Sequence, residues 1–268
     1  MVSWSTRLAA FATGAGTAET AAQAVSVPAN AVELVAVKMA VAAGAPAPAE
    51  SVMGVGKLKG DNWQNNPYEI AAEIGSAHLG AIGGDWAAQP RWWKANLPVS
   101  PNSSIDFTYE PVDALADNGT CQPDFRWSNV RTGAQGVKRI FSREVATSTT
   151  VSTTVTLNDA LSLTKGYFAV GAATVAADDP GNYSVTMESS GLQGQQTFQM
   201  GTTLHGIEAT SGQEISYLEE TPIDIGILKD VAQITFTATL TETTALGTAG
   251  QWMYGVEYVP KTIQQNIV

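Results

Sequence analysis

Tyr167-Phe168-Ala169-Val170, running on to Ala176, is followed by Ala177-Asp178-Asp179-Pro180-Gly181-Asn182 and then by Tyr183-Ser184-Val185-Thr186-Met187 up to Ser189. This reads as strand, turn, strand, because aromatic and β-branched residues fit a pleated surface while Asp, Pro, Gly and Asn stop the ladder. The same plan stands earlier in the chain. Val32 to Val41 runs into the Pro-rich stretch Ala42 to Glu50 and returns as Ser51 to Leu58, so that Val37 to Val52 spans the same fifteen residues as Val170 to Val185. Each copy then closes on a second matched pair. Ile105 to Tyr109 precedes Phe125-Arg126-Trp127, Ile234 to Thr237 precedes Tyr254 to Tyr258, and Phe107–Phe125 and Phe236–Tyr254 are both eighteen residues apart. Anchors that recur at matched spacing indicate a duplicated domain.

Working outward, strands are expected at 149–157, 167–175, 183–189, 197–200, 214–218, 223–227, 234–240 and 252–259. Eight short strands separated by turn residues suit a Greek-key β-sandwich or jelly roll. The expected fold is all-β: an N-terminal arm at 1–24, a first jelly roll at 25–130, a linker at 131–148, and a second jelly roll with its C-terminal tail at 149–268. A few short helices are also expected. Residues 4–11 place Trp4, Leu8 and Phe11 on one side, and residues 68–82 place Ile70 and Ile74 at helical spacing.

Charged residues make up 15% of the 268, well below the roughly one quarter usual in globular domains. Neutral polar groups are cheaper to desolvate than ions, which suits extensive subunit contact. The net charge of −11 is uneven: residues 144–268 hold three basic against thirteen acidic residues, whereas 1–143 hold eleven against twelve. That balance argues against direct nucleic-acid binding. Arg126, Arg131, Lys138, Arg139 and Arg143 crowd the junction, as a solvated linker or as an electrostatic contact to a neighbouring copy or an anionic lipid surface.

No phosphate loop, metal-binding helix, nucleophile elbow or paired-cysteine spacing is present, so no catalytic residue, cofactor or metal site is assigned and the chain is read as a non-enzyme. Cys121, the single cysteine, reads as a buried thiol. The acid pairs Asp178-Asp179 and Glu219-Glu220 read as solvated turns before calcium ligands, and a β-sandwich hydrolase would need a carboxylate pair in a cleft. Three of the seven tryptophans, Trp86, Trp92 and Trp93, fall within eight residues. They read as packing or subunit contacts, with glycan stacking as the sharper option. Met1 to Gly14 lacks the apolar run of a secretory leader, so synthesis in a host cytoplasm is expected.

The two eight-stranded copies, the arm before the first barrel and the chain length together resemble the double jelly-roll major capsid proteins of tailless icosahedral viruses with an internal membrane. The resemblance is architectural, covers about residues 25–259 and carries no sequence motif. It implies a self-assembling structural protein of the virion: a homotrimer whose six barrels give a pseudo-hexagonal outline and tile a capsid shell, beside other capsid proteins and an internal membrane. By that resemblance Trp4, Phe11 and the basic residues Arg131, Lys138, Arg139 and Arg143 would meet neighbouring subunits or the membrane. The alternative is a carbohydrate- or receptor-binding spike or fibre component, using Trp86, Trp92 and Trp93.

Overall fold

A computed structural model describes residues 2–42, 54–60, 63, 67–71, 91–112, 115–132, 136–158, 160–171, 182–189, 191, 197–203, 205–206, 214–215, 219–227, 231–240 and 250–260. The first half contains β1 (Ser3–Arg7), β2 (Phe11–Gly16), β3 (Gln23–Ser26), β4 (Glu33–Ala42), β5 (Gly54–Gly60), β6 (Tyr68–Ala71), β7 (Trp93–Pro98), β8 (Ser104–Pro111) and β9 (Leu115–Ser128). The second contains β10 (Lys138–Ala146), β11 (Thr150–Asn158), β12 (Ala160–Gly171), β13 (Asn182–Glu188), β14 (Thr197–Thr203), β15 (His205–Gly206), β16 (Glu214–Ile215), β17 (Glu219–Gly226), β18 (Val231–Leu240) and β19 (Gly250–Pro260).

Strand order identifies the architecture. β1 and β2 lie end to end along one edge of β9, Ser3–Arg7 opposite Ser128–Asp124 and Phe11–Gly16 opposite Cys121–Leu115, so they act as one interrupted first strand. Numbered this way, the first half has sheets ordered 1-8-3-6 (β1/β2, β9, β4, β7) and 2-7-4-5 (β3, β8, β5, β6). The second half repeats both orders, as β10, β19, β12, β17 and as β11, β18, β13, β14, with the small β15–β16 hairpin inserted. Every pairing among the described residues is antiparallel. Each half is therefore an eight-stranded jelly roll, and the chain is a double jelly roll. The duplicated anchors fall on equivalent strands: Val37 and Val170 on the third, Ile105 and Ile234 on the seventh, Phe125 and Tyr254 on the eighth. Val52 and the turn at 177–181 lie outside the described residues.

Four local expectations change. Residues 1–24 do not form a separate arm, since β1 and β2 lie within them and β3 begins there, and residues 4–11 are extended rather than helical. The helical spacing of Trp4, Leu8 and Phe11 loses to pairing, because without β1 and β2 the long strand β9 would have an unpaired edge. In β1 burial alternates, with Trp4 and Thr6 inward and Ser3, Ser5 and Arg7 outward. Thr6 Oγ1 accepts a hydrogen bond from the Trp127 indole at 2.7 Å, and Arg7 donates from Nε and Nη2 to the Asp124 carboxylate at 2.7 and 3.0 Å. The 131–148 linker likewise contains β10, the first strand of the second barrel. The helix expected at 68–82 begins instead with strand β6, its remainder falling outside the described residues, and no helix occurs among the described residues.

Each barrel has its own core. Leu34, Val37, Phe107, Phe125 and Trp127 fill the first, and Phe168, Val170, Phe236, Trp252 and Tyr254 the second. Phe141, Tyr167, Ala169 and Met253 of the second half join the first half's core. They do so because β12 and β19 are buried on both faces, which explains the near-continuous apolar run at 250–260.

Candidate functional site

The outer face of the second barrel's sheet β10-β19-β12-β17 packs against the edge strands β6 and β7 of the first barrel. Cross-strand pairing arranges this face in three rows. Arg139, Glu257 and Lys165 form one, Phe141, Gly255 and Tyr167 the next, and Arg143, Met253 and Ala169 the third. Period-two alternation along three adjacent strands is what brings together residues so far apart in sequence.

The middle row is aromatic. Trp93, from β7, meets Phe141 at a centroid distance of 6.1 Å and Tyr167 at 5.5 Å, both edge-on, while Phe141 and Tyr167 lie 5.6 Å apart. Such pairs contribute roughly 0.5–1.5 kcal/mol each beyond the area they bury. Gly255 sits between Phe141 and Tyr167, and a Cβ there would overlap the Phe141 ring. Gly255→Ala should therefore lower stability by about 1–3 kcal/mol, as overpacking does; an unchanged urea midpoint would show that the ring can step aside.

On one flank, Arg139 Nη2 pairs with Glu257 Oε2 at 2.5 Å, both side chains under 8% exposed, and Arg139 Nη1 donates to the Lys94 carbonyl at 2.9 Å. Tyr167 and Thr164 donate hydroxyl hydrogens to the same Glu257 carboxylate at 3.2 and 2.9 Å. Burial pushes the Tyr167 phenol up, so it remains a donor. Arg91 pairs with Glu220 at 3.2 Å, and Lys165 also reaches Glu220. The Arg91 and Arg139 guanidinium carbons lie 3.9 and 5.0 Å from the Trp93 ring centroid.

On the other flank, Arg143 Nη2 pairs with Glu110 Oε1 at 2.5 Å, and Lys57 joins Glu110 to Glu19. Glu69 Oε2 accepts the Phe141 backbone N–H at 2.8 Å, capping a donor on edge strand β10. Burial raises the pKa of Glu19, but the hydrogen bonds from Thr108 and Lys57 and the charges of Lys57 and Lys59 outweigh it and hold the group at about 2. Glu110 is also lowered: burial opposes, and the bonds from Arg143 and Lys57 prevail. Glu69 is raised, because burial outweighs the Phe141 N–H and the nearby cations. A carboxylate depressed in the folded state gives stability that is complete above its unfolded pKa and disappears as pH falls through the folded one. The Glu19 contribution is accordingly expected to fade between about pH 4.5 and 2 and the Glu110 contribution to fade below its unfolded value, while raised Glu69 acts in the opposite sense. A Glu19→Gln, Glu110→Gln double variant should show a shallower acid limb in urea midpoint against pH; an identical limb would rule out this cluster as its source.

The basic junction residues mostly turn inward. Lys138 and Arg139 are 6% and 7% exposed, with the Lys138 ammonium 5.3 Å from the Tyr68 ring centroid, and Arg143 is engaged as described. Arg131 stays exposed. In place of a solvated linker, most of this cluster joins the two halves of one chain. Trp93 is 4% exposed and cannot offer its face to a glycan, whereas half-buried Trp92 carries Arg126 at 4.2 Å and Lys38 at 5.0 Å from its ring centroid. Trp86 and Asp178-Asp179 lie outside the described residues. Trp4 and Phe11 pack on the first core, Phe11 edge-on to Phe107 at 6.2 Å. Cys121 is buried, and desolvation pushes its thiol up, away from a reactive thiolate. Sequence reasoning missed Arg91, Lys165 and Glu257, and it took Glu219-Glu220 for a solvated turn, whereas the pair opens strand β17 and Glu220 is ion-paired. The signal for Glu257 was there, since a single carboxylate in an otherwise apolar, doubly buried strand requires a buried partner.

No family model matches the chain, and no curated protein matches it. Solved structures do. The atomic structure of Sulfolobus Turreted Icosahedral Virus aligns over 96% of this chain and 91% of that one, at 10% identity and a TM-score of 0.49. PBCV-1 VP54, fitted into a reconstruction of the virophage Sputnik, aligns over 100% and 97%, at 10% identity and 0.43. Peptide N-glycanase F aligns over 97% and 96%, at 12% identity and 0.38. The strand pairing given above defines the fold independently of these likenesses.

Proposed function

We propose that this chain is a structural protein that self-assembles, as a homotrimer, into the shell of an icosahedral viral capsid. One observation carries the reading: two jelly rolls of identical strand order are joined within one chain by a buried, ion-paired seam. A chain of this kind offers two similar barrels in fixed relation, so three chains present six barrels around an axis and fill a near-hexagonal tile. Self-assembly asks for many modest contacts and no catalytic group, and closed sandwiches with short or capped edges suppress unwanted strand addition. The virion is the location this role implies. The remaining exposed surface, with its few charges, would meet neighbouring tiles, other capsid proteins or an internal membrane.

The glycan-binding alternative keeps less support, since Trp93 is committed to the seam. Light scattering and electron microscopy of the purified chain separate the two readings. The expected result is a stable species of three 28.1 kDa chains that forms sheets or shells at high concentration. A chain that stays monomeric at every concentration tested would overturn the assembly reading.

A further inference from the structure

Beside the aromatic row the seam opens into a cleft of about 480 Å³ lined by Arg91, Lys94, Arg139 and Lys165 and by only two carboxylates, Glu220 and Glu257. In a chain of net charge −11 this concavity is cationic. Its acids are already shared: Glu257 serves Arg139, Tyr167 and Thr164, and Glu220 serves both Arg91 and Lys165. Lys94 is exposed and has no acidic partner among the described residues. Arg139 Nε, in the same wall, is buried without a hydrogen-bond partner among the described residues, so the wall has more donors than acceptors to receive them. Asn96 adds an amide. It sits at φ 48°, where the β4–β7 register slips between Leu34 and Ala36, and it lines the same cleft. Bulges of this kind re-aim side chains, and Asn tolerates the left-handed region better than most residues.

We propose that the seam cleft binds a phosphate-class oxyanion, held by Lys94, Lys165 and Arg91 with the Asn96 amide at the rim. The lining carries two positive charges more than negative ones, which a phosphate dianion balances, and the low-dielectric Trp92 and Trp93 walls focus the field into the cleft. Inorganic phosphate fills only part of such a volume. A phosphomonoester with a planar base is the other source of the same group, its base lying against half-buried Trp92. The site does not depend on the assembly reading, because both barrels that form it belong to one chain.

The test uses the full chain at fixed ionic strength, exchanging sodium chloride for sodium phosphate or for adenosine monophosphate. Saturable heat by calorimetry and a rising melting temperature are expected, since a ligand that binds only the folded state stabilises it. Lys94→Gln, which breaks no ion pair, should weaken phosphate binding about tenfold and leave the phosphate-free melting temperature unchanged; Lys165→Gln should weaken it similarly. Tighter binding of the monophosphate with quenching of tryptophan fluorescence would assign the phosphomonoester, and equal binding without quenching would assign the inorganic ion. No saturable response to either compound, or a response that Lys94→Gln leaves intact, would overturn the proposal.

Discussion

Replacing Arg139 with alanine is expected to destabilise the chain by about 3–5 kcal/mol, the loss typical of breaking a buried ion pair from one side. The loss comes less from the missing attraction than from what remains. Glu257 would be left at 5% exposure without its cation, with only the Tyr167 and Thr164 hydroxyls to satisfy it. Arg139 also anchors the Lys94 carbonyl and lies over Trp93, so one change weakens both sides of the seam. Urea unfolding of Arg139→Ala beside an Arg139→Met, Glu257→Gln double variant checks the cause. The double variant should recover at least half of the loss, because it no longer buries an unpaired charge. Equal instability of the two would show that packing against Trp93, and not charge, is the source.

Deleting residues 2–16 is expected to abolish the cooperative melting of the first barrel. These residues supply its first strand, cover the outer edge of β9 and bring Trp4, Leu8 and Phe11 onto the core. Their loss would strip Asp124 of Arg7 and the Trp127 indole of Thr6. Because β6 and β7 form the platform for the second barrel, the damage should reach the seam as well. Near-ultraviolet circular dichroism during heating would report it. A truncated chain that melts within a few degrees of the full one would return these residues to the status of a detachable arm.

Those two predictions mark where the sequence was hardest to read. The third, seventh and eighth strands announced themselves through Val37 and Val170, Ile105 and Ile234, Phe125 and Tyr254, since apolar alternation is the signal a sandwich core imposes. The first strand of each barrel escaped notice for two reasons. In β1 and β2, Ser, Thr, Ala and Gly leave too little apolar contrast, and only the unpaired edge of β9 shows that a strand must lie there. In β10, the seam-facing set Arg139, Phe141 and Arg143 looks like solvent-facing charge until Glu257 and Glu110 come into view, and those partners are 118 and 33 positions from Arg139 and Arg143. The eight strands expected in the second half match the eight of its barrel in number but not in membership: 214–218 stands among them, where the described residues hold the small β16 of the inserted hairpin, and β10 does not.

The union of the two barrels is directional. One barrel gives the face of a sheet and the other gives an edge, so the contact is heterologous and nothing in its geometry makes it self-limiting. Were the first barrel's matching face as apolar as its twin's, chains could add head to tail without end and grow into fibres. That face instead carries Lys38 and Arg7 around Asp124, with Arg126 stacked on Trp92. Docking another barrel's edge on that face would mean desolvating these charges, a cost that disfavours head-to-tail addition there.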